Sequence, residues 1–322
     1  MSILVYIEQD QGKIKSSSLE AVSYASALSE RSGGKVSVLG LGTIAEEDWA
    51  QLGQAGAEAI YHVADERLNS GVIQAHAHMI ALVYQQVNAS TLVLAKSALG
   101  DAVAARLAVK LNAGLVSNVV GLPELSDGFV VKRSIFTGKA FVDTAIPTEN
   151  RILAIKKNTQ PIKTDGTAVI VEKLTLELPE SVFAAKITGK EKASGEILLP
   201  EADIVVSGGR GLNGPENWGM IEDLADSLHA ARGCSKPVSD LGWRPHHEHV
   251  GQTGVKVAPS LYIAIAISGA IQHLAGVNAS RHIVVINKDP EAPFFKAADY
   301  GIVGDAFEIV PKLTKAIKAL KQ

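Results

Sequence analysis

The sequence has one cysteine, few aromatic residues and no excess of either charge. Cys234 is the only cysteine in 322 residues, which excludes a disulfide framework within the chain and fits a reducing compartment. Aromatic residues make up 5% of the chain, so we expect an aliphatic core. The 31 Lys and Arg residues nearly balance the 34 Asp and Glu residues, which gives no electrostatic basis for binding nucleic acid or an anionic membrane.

Long hydrophobic runs are also missing. The longest uncharged stretch, residues 257–272, is shorter than the roughly 20 residues of a membrane-spanning helix. The apolar run 3–7 is followed by Glu8 and has no basic segment before it, which indicates a first strand rather than a signal peptide. We therefore expect a protein that is not embedded in a membrane. Its expected location is the bacterial cytoplasm or, for a processed eukaryotic form, the mitochondrial matrix.

The first part of the chain alternates between two patterns. Apolar, β-branched segments predict strands at 3–7, 35–40, 59–63 and 91–95, and amphipathic segments predict helices at 18–32, 46–55, 72–87 and 101–111. This alternation predicts a parallel sheet that helices cover on both faces. Further strand patterns follow without helices between them, and we expect these to be added antiparallel strands at 116–120, 129–133, 141–144, 152–155 and 168–178.

The length predicts two domains, at about 150 residues for each. Residues 179–200 are rich in Lys, Glu, Gly and Ser without a clear period, which is typical of a linker. The alternation then resumes, with predicted strands at 202–206, 261–267 and 282–286 and helices at 215–231, 269–275 and 310–320. We expect an N-terminal α/β domain over residues 1–188 and a doubly wound parallel-sheet domain over residues 189–322.

A glycine-rich segment, residues 207–214, follows the first predicted strand of the second domain. Gly209, Gly211 and Gly214 form a G-x-G-x-x-G pattern, whose backbone N–H groups can approach a diphosphate at a helix start. Arg210 adds a fixed cation. No acidic residue stands about 20 positions further on to hold a nicotinamide ribose, so by itself the segment is explained equally well as a solvated turn.

Other segments become candidates because ligands of doubly wound sheets bind at the carboxyl ends of the strands. These segments are residues 250–254, 268–273, 287–290 and 299–305. Each alone is compatible with an ordinary turn, and a single histidine such as His273 is more often a core residue than a ligand-binding one. Because most of the candidate segments follow or adjoin strands of one domain, together they predict a nucleotide site.

Two other features are weaker. The run His-His-Glu-His at 246–249 lacks the His-x-x-x-His spacing of a helix-borne metal site, so we interpret it as a polar loop and predict no metal. Cys234 lies near Arg232 and Lys236, and neighbouring cations lower the pKa of a thiol. Without a partner cysteine, a packed thiol remains the better interpretation than a nucleophile.

The second half contains the strings ADIVVSGGRGL, VGQTG, SGAIQHLAG, VINKDPEAP and ADYGIVGD in this order. In these strings the sequence resembles the alpha subunits of electron-transfer flavoproteins. The resemblance implies an electron carrier with one FAD, held mainly by the second domain, and no substrate chemistry of its own. It also implies a heterodimer with a beta subunit that carries AMP or a second FAD. Transient docking to flavin dehydrogenases, such as acyl-CoA dehydrogenases, and to a membrane quinone oxidoreductase is implied as well.

The resemblance assigns cofactor contacts residue by residue. It places Arg210 beside the FAD diphosphate, Thr253 near the flavin N5 atom and His273 near the pyrimidine carbonyl. Reduced flavin carries negative charge near that carbonyl, so a neighbouring donor or cation would stabilise it. The remaining implied FAD contacts are Ser235, Lys236, Val250, Gly251, Gln252, Ser268, Gly269, Ala270, Ile271, Gln272, Asn287, Asp305 and Ala306.

The sequence departs from the family pattern at three positions. Lys236 stands where an arginine is usual, and it keeps the charge but loses the planar guanidinium, so we expect altered redox potentials. His249 replaces a usual glutamine, and Val255 replaces a usual lysine. Two alternatives stay open: an electron-bifurcating relative, and a nicotinamide-dependent dehydrogenase that uses residues 207–214. The latter needs a ribose-binding acid and a substrate pocket, and the sequence identifies neither.

Overall fold

The computed structural model describes residues 1–136, 140–189, 198–200 and 202–320. These residues form two compact units, the first containing the described residues up to 189 and the second those from 198 onward. The predicted linker, 179–200, lies partly outside the described residues.

The first unit is built from the following elements. Its strands are β1 (Ser2–Tyr6), β2 (Gln9–Asp10), β3 (Lys13–Ile14), β4 (Lys35–Leu41), β5 (Ala59–Val63), β6 (Thr91–Ala95), β7 (Gly114–Val119), β8 (Val130–Ile135), β9 (Ala140–Ala145), β10 (Arg151–Ile155) and β11 (Val171–Lys173). Its helices are α1 (Ser16–Ser32), α2 (Trp49–Gln54), α3 (Ile73–Gln86) and α4 (Ala98–Lys110).

The main sheet of this unit has the order β11-β5-β4-β1-β6-β10-β7-β8-β9. Successive residues of its central strand β1 point to opposite faces. Ile3 and Val5 pack in one core cluster with buried residues of α1, whereas Leu4 and Tyr6 pack in another with buried residues of α3. The predicted parallel sheet covered by helices on both faces is therefore confirmed.

The prediction that the later strands are all antiparallel is wrong for three of them. Strands β7 and β10 pair in parallel, and β11, much shorter than the predicted 168–178, pairs in parallel with β5. Only β8 and β9 add antiparallel pairs. The chain reaches β10 through the β8–β9 hairpin instead of a helix, so the missing helix was not a sign of antiparallel pairing. Residues 152–155 are almost fully buried, as expected for a central parallel strand.

The second unit contains a smaller sheet. Its strands are β12 (Ile204–Gly208), β13 (Ala231–Cys234), β14 (Leu261–Ile265), β15 (His282–Asn287) and β16 (Tyr300–Val303). Its helices are α5 (Gly219–Leu228), α6 (Lys236–Asp240), α7 (Ile271–Val277) and α8 (Ala306–Leu320). The strands have the order β13-β12-β14-β15-β16, and every pair is parallel, which confirms the doubly wound prediction.

Two strands of this sheet were not predicted. The predicted helix 215–231 is wrong at its carboxyl end, because α5 ends at Leu228 and His229 takes a left-handed conformation with a φ of 52°. Ala231 then begins β13, whose four residues are too few to show a periodic pattern. Strand β16 was missed because all four of its residues are exposed at the edge and a glycine interrupts its apolar run.

Both faces of the second sheet are buried. Val206, Ile263 and Ile265 pack with residues of α5 and α8 on one face, whereas Val205 and Tyr262 pack on the other. Each aliphatic side chain that becomes fully buried contributes about 1.5–3 kcal/mol. These continuous apolar strands therefore hold the sheet rigidly, and the polar residues that follow them are placed by it. Among the described residues, no helix combines the length and apolarity needed to cross a membrane.

Candidate functional site

The carboxyl ends of the second sheet meet at one edge. The chain runs from β12 to its neighbour β13 on one side and then to β14 on the other, so the winding reverses between β12 and β14. Such a reversal opens a crevice at the carboxyl ends of the two strands, where ligands of doubly wound folds bind. We call these strand ends and the loops that follow them the carboxyl edge: residues 207–214, 235–236, 249–254, 266–273, 287–290 and 304–306.

The glycine-rich loop is fixed against the end of β14. The Gly209 N–H donates to the Ile265 carbonyl at 2.9 Å. A Cβ at position 209 would lie 2.0 Å from the Ala266 carbonyl oxygen, so only glycine fits. Arg210 next to it is exposed and makes no ion pair within the described part of the chain. The loop therefore carries an exposed guanidinium without an ion pair among the described residues, next to the end of β14.

The chain turns sharply after β14. Ala266 takes a left-handed conformation with a φ of 55°, which is uncommon for a residue other than glycine. The Ser268 carbonyl accepts a hydrogen bond from the Phe294 N–H at 3.1 Å. Helix α7 begins at Ile271, two residues later than predicted, and the side chains of Ser268, Ala270 and Gln272 stay exposed. This turn brings the segment 268–273 to the crevice.

The segment 250–254 joins the same edge although it follows no strand directly. The Val250 N–H donates to the Cys234 carbonyl at 2.9 Å, which continues the line of β13. The Gln252 N–H donates to the Gln272 carbonyl at 2.7 Å, which ties this loop to α7. The side chains of Gln252 and Thr253 remain exposed. The structure thus brings together two predicted segments that are separated in the sequence.

Among the side chains of the carboxyl edge, His273 has the pKa that is shifted furthest from its ordinary value. It is buried with 6% of its surface exposed, and its Nε2 lies 2.8 Å from the hydroxyl oxygen of Tyr262. Burial, with a smaller contribution from the neighbouring His249, lowers the pKa of His273 to about 4, although the Val250 backbone opposes both effects. The imidazole is therefore neutral at neutral pH and carries one N–H.

The edge also holds buried polar atoms that the described residues leave without a hydrogen bond. They are the hydroxyl oxygens of Ser207 and Ser235 and the Nδ1 atoms of His249 and His273. A buried polar atom without a partner costs about 1–3 kcal/mol, and proteins rarely keep one without a reason. Four such atoms lie at the carboxyl edge, where a bound molecule can complete their hydrogen bonds.

Other predicted residues are already engaged by the chain itself. Lys236 lies 2.6 Å from the Asp240 carboxylate in an exposed ion pair. The Asn287 side chain donates to the Ile267 carbonyl at 3.0 Å and accepts from the Asp289 N–H at 3.1 Å. The Asp305 carboxylate accepts from the Phe307 N–H at the start of α8, and Ala306 is buried. These residues lie at the edge, but their contacts also have structural explanations.

Sequence reasoning missed three residues of the site. Tyr262 was hidden in an apolar strand, and Ser207 was considered only as part of the glycine-rich loop. His249 was considered only in the run 246–249 and as a departure from the family. Their signal was a polar group inside or beside an otherwise buried segment. Each is 3% exposed or less.

The two weaker features have contacts within the protein. Glu248 of the His-His-Glu-His run is buried and its carboxylate accepts from the Arg244 guanidinium at 2.8 Å. Within the described ranges, no group of three or more His, Cys, Asp or Glu side chains is arranged to hold a metal ion. Burial raises the pKa of Cys234 to about 12, with Glu248 adding to it, so this thiol is packed and not activated.

Comparison with known proteins identifies the family. Residues 3–179 match the model of the electron transfer flavoprotein domain, and residues 198–278 match that of the electron transfer flavoprotein FAD-binding domain. The chain belongs to the electron transfer flavoprotein family. The resemblance noted in the sequence is thus confirmed, and with it an electron-transfer flavoprotein role.

Relatives align over nearly the whole chain. An electron transfer flavoprotein subunit alpha from Mycobacterium tuberculosis is 38% identical over 99% of this chain and 99% of the relative. One from Thermoanaerobacterium thermosaccharolyticum is 35% identical, over 99% and 98%. A mitochondrial one from Caenorhabditis elegans is 36% identical, over 98% and 93%. Because the electron transfer flavoprotein FAD-binding match includes residues 207–214, the nicotinamide-dependent dehydrogenase interpretation of that loop is wrong.

Proposed function

We propose that this chain is the alpha subunit of a heterodimeric electron transfer flavoprotein and that it holds FAD at the carboxyl edge of its second unit. The observation that carries the proposal is the set of four buried polar atoms without hydrogen bonds around the crevice between β12 and β14. FAD, when bound, supplies the redox chemistry, since it accepts and releases electrons. The protein side chains bind it, orient it and adjust its potential.

The composition of the edge fits a flavin dinucleotide. The free guanidinium of Arg210 suits the diphosphate, because arginine binds phosphate oxygens with a planar fork of donors. Thr253 and His273 would face the flavin ring, and Ser235 with Val250, Gly251 and Gln252 would line it. The segment 268–270 offers small side chains that leave room for the cofactor, and Ser268 and Ala270 are exposed. The adenosine part of FAD would lie at the carboxyl ends of β15 and β16, near Asn287, Asp305 and Ala306.

The partners follow from the same proposal. A beta subunit completes the heterodimer and holds AMP or a second FAD, and residues 1–188 form the domain that contacts it. Electrons arrive from flavin dehydrogenases, such as acyl-CoA dehydrogenases, and leave to a membrane quinone oxidoreductase. The alpha subunit itself carries out no substrate chemistry. End-to-end similarity to bacterial and mitochondrial alpha subunits supports the pairing, and a bacterial cytoplasm or a mitochondrial matrix as the location.

Co-expression with the beta subunit tests the proposal. The complex should elute as a 1:1 heterodimer, and its denatured extract should contain one FAD, with either AMP or a second FAD. One FAD with AMP supports the simple carrier, whereas two FAD identify the electron-bifurcating alternative. A complex without flavin, or a monomer that transfers electrons without a partner subunit, would contradict the proposal.

A further inference from the structure

We infer that Tyr262 is a positioning residue for His273: its hydroxyl selects the imidazole tautomer that presents Nδ1–H to the carboxyl edge. The inference rests on the proposed function, because it assigns that N–H to the flavin. In this role Tyr262 would act through His273. Tyr262 lies on β14 and is fully buried, and its hydroxyl oxygen is 2.8 Å from Nε2 of His273 on α7.

The surroundings hold both rings in place. Phe294 packs edge-on against the His273 ring, with 5.6 Å between centroids, and also lies beside the Tyr262 ring at 6.3 Å. Loss of the Tyr262 hydroxyl alone would therefore leave the ring packing intact. What changes is one hydrogen bond, so the consequences of its loss can be assigned to that bond.

The protonation states determine how the hydrogen bond runs. Burial raises the pKa of Tyr262 far above its usual value, so the phenol stays protonated, while burial keeps the His273 imidazole neutral. Among the described residues, Nε2 of His273 is the hydrogen-bond partner of the Tyr262 hydroxyl, and a protonated phenol has one proton to donate. A neutral imidazole accepts at one ring nitrogen and carries its proton on the other, so donation from Tyr262 to Nε2 places the imidazole proton on Nδ1.

A second tyrosine–histidine pair in the first unit provides the matched comparison. The hydroxyl oxygen of the buried Tyr6 lies 2.7 Å from Nδ1 of His76, and Nε2 of His76 lies 2.8 Å from the Leu68 carbonyl oxygen. A carbonyl only accepts, so Nε2 of His76 carries the proton and Tyr6 donates to Nδ1. Both ring nitrogens of His76 are engaged by the chain. In the His273 pair, Nδ1 has no hydrogen bond within the described part of the chain. The tyrosine–histidine hydrogen bond in the second unit thus leaves the Nδ1–H of His273 available as a donor at the carboxyl edge.

Nitrogen NMR of the histidine-labelled heterodimer tests the assignment at neutral pH, with the His273 signals identified from His273→Gln. The ring-nitrogen shifts should show the proton on Nδ1 in the wild type, and Tyr262→Phe should move it towards Nε2. Tyr6→Phe should leave the His273 signals unchanged. A proton on Nε2 of His273 in the wild type would overturn the inference. This wild-type measurement does not require the Tyr262→Phe variant to fold. An unchanged His273 tautomer in a folded Tyr262→Phe complex would overturn it too.

The flavin potential supplies the functional readout. Tyr262→Phe should keep FAD and shift the midpoint potential in the same direction as His273→Ala, by more than half as much. The double variant should shift it no further than His273→Ala, because the two residues act through one group. Fully additive shifts would overturn the positioning role. A wild-type complex that binds no FAD would instead refute the proposed function, and the tautomer measurement would still be decided independently.

Discussion

In each unit the winding of the sheet reverses between two neighbouring parallel strands, and a crevice lies at that point. A side chain of the protein fills the crevice of the first unit, whereas the crevice of the second unit is open. In the first unit the crevice lies between β1 and β6, and Glu8 occupies it. The Glu8 carboxylate is nearly fully buried, contacts the Ser97 hydroxyl and lies 3.6 Å from the Lys15 ammonium. Ser97 in turn caps α4 by accepting from the Gly100 N–H at 2.7 Å. The position at which a doubly wound sheet binds an anion is thus filled by the protein's own carboxylate.

The second crevice is left open. In the first unit, the buried polar atoms without hydrogen bonds among the described residues belong to Thr91, Asp101, Arg133 and Arg151, and two of these begin strands at the opposite edge of the sheet. In the second unit, four of the five lie at the carboxyl edge. The comparison shows that the same sheet architecture can form a closed scaffold or a binding edge. The outcome depends on whether a few side chains at the crevice form hydrogen bonds or ion pairs with each other.

The largest effect is expected from closing the second crevice sterically. Gly209→Ala places a Cβ against the Ala266 carbonyl oxygen, which belongs to the backbone and cannot move cheaply. We expect the free energy of unfolding to fall by about 3 kcal/mol, the upper range for overpacking, together with a loss of bound FAD. Chemical denaturation and flavin content measure the two effects. Gly219→Ala is the control, because nothing lies within 4 Å of its Cβ, and it should retain both stability and flavin.

Removing the free cation of the edge is expected to have the next largest effect. Arg210→Ala should weaken FAD binding by about 1.5–3 kcal/mol, the value of a charged hydrogen bond, which corresponds to roughly 10- to 150-fold in Kd. The control is Arg281→Ala, which removes an exposed arginine just before β15, at the opposite edge of the same sheet. Equal FAD affinity of the two variants in a dialysis titration would show that Arg210 does not bind the cofactor.

His273 predicts a pH dependence of the stability of the second unit. Its folded-state pKa of about 4 lies below the ordinary value of 6.5, so the unfolded chain binds a proton at higher pH than the folded chain. The stability that this difference contributes is complete above about pH 6.5 and is lost as the pH falls towards 4. Between pH 7 and pH 5 the loss should be about 2 kcal/mol in flavin-free protein. His273→Gln should reduce the pH dependence by that amount, measured by urea unfolding at both pH values.

The smallest effect concerns Lys236. Its ammonium is paired with Asp240, and both side chains are more than half exposed, so its field at the flavin is weakened. Lys236→Ala should lower the flavin midpoint potential by less than about 59 mV, the one-electron equivalent of roughly 1.4 kcal/mol. Asp240→Asn removes the competing negative charge and should raise the potential slightly. Potentiometry on both variants checks the signs, and a shift of the same sign in both would exclude this electrostatic role.

Local patterns predicted most of the second unit's architecture. The apolar strands β14 and β15 and the segments that follow them were located within a few residues, because buried parallel strands are continuous apolar runs bounded by glycines and polar residues. Their convergence also followed, since all carboxyl ends of a parallel sheet share one edge. Strand β13 was not predicted, because four residues that include Arg and Gly carry no such pattern.

What the sequence could not show depends on contacts between distant residues. The Tyr262–His273 hydrogen bond joins a strand to a helix, and an apolar strand pattern conceals the hydroxyl. The engagement of both polar ends of Asn287 by the backbone became visible only from the turns around it. Likewise, Glu8 was expected only to follow a strand, and its role in filling the first crevice requires Ser97, which lies far along the chain.

Amide hydrogen exchange of the heterodimer, measured with and without FAD, tests the central claim most directly. If the open crevice of the second unit binds the cofactor, FAD should slow exchange in the segments 207–212, 249–254 and 266–273. The corresponding loops of the first unit, residues 7–8 and 96–100, should exchange at the same rate in both states, because Glu8 already fills their crevice. Protection of the first-unit loops, with unchanged exchange along the carboxyl edge of the second unit, would contradict the account.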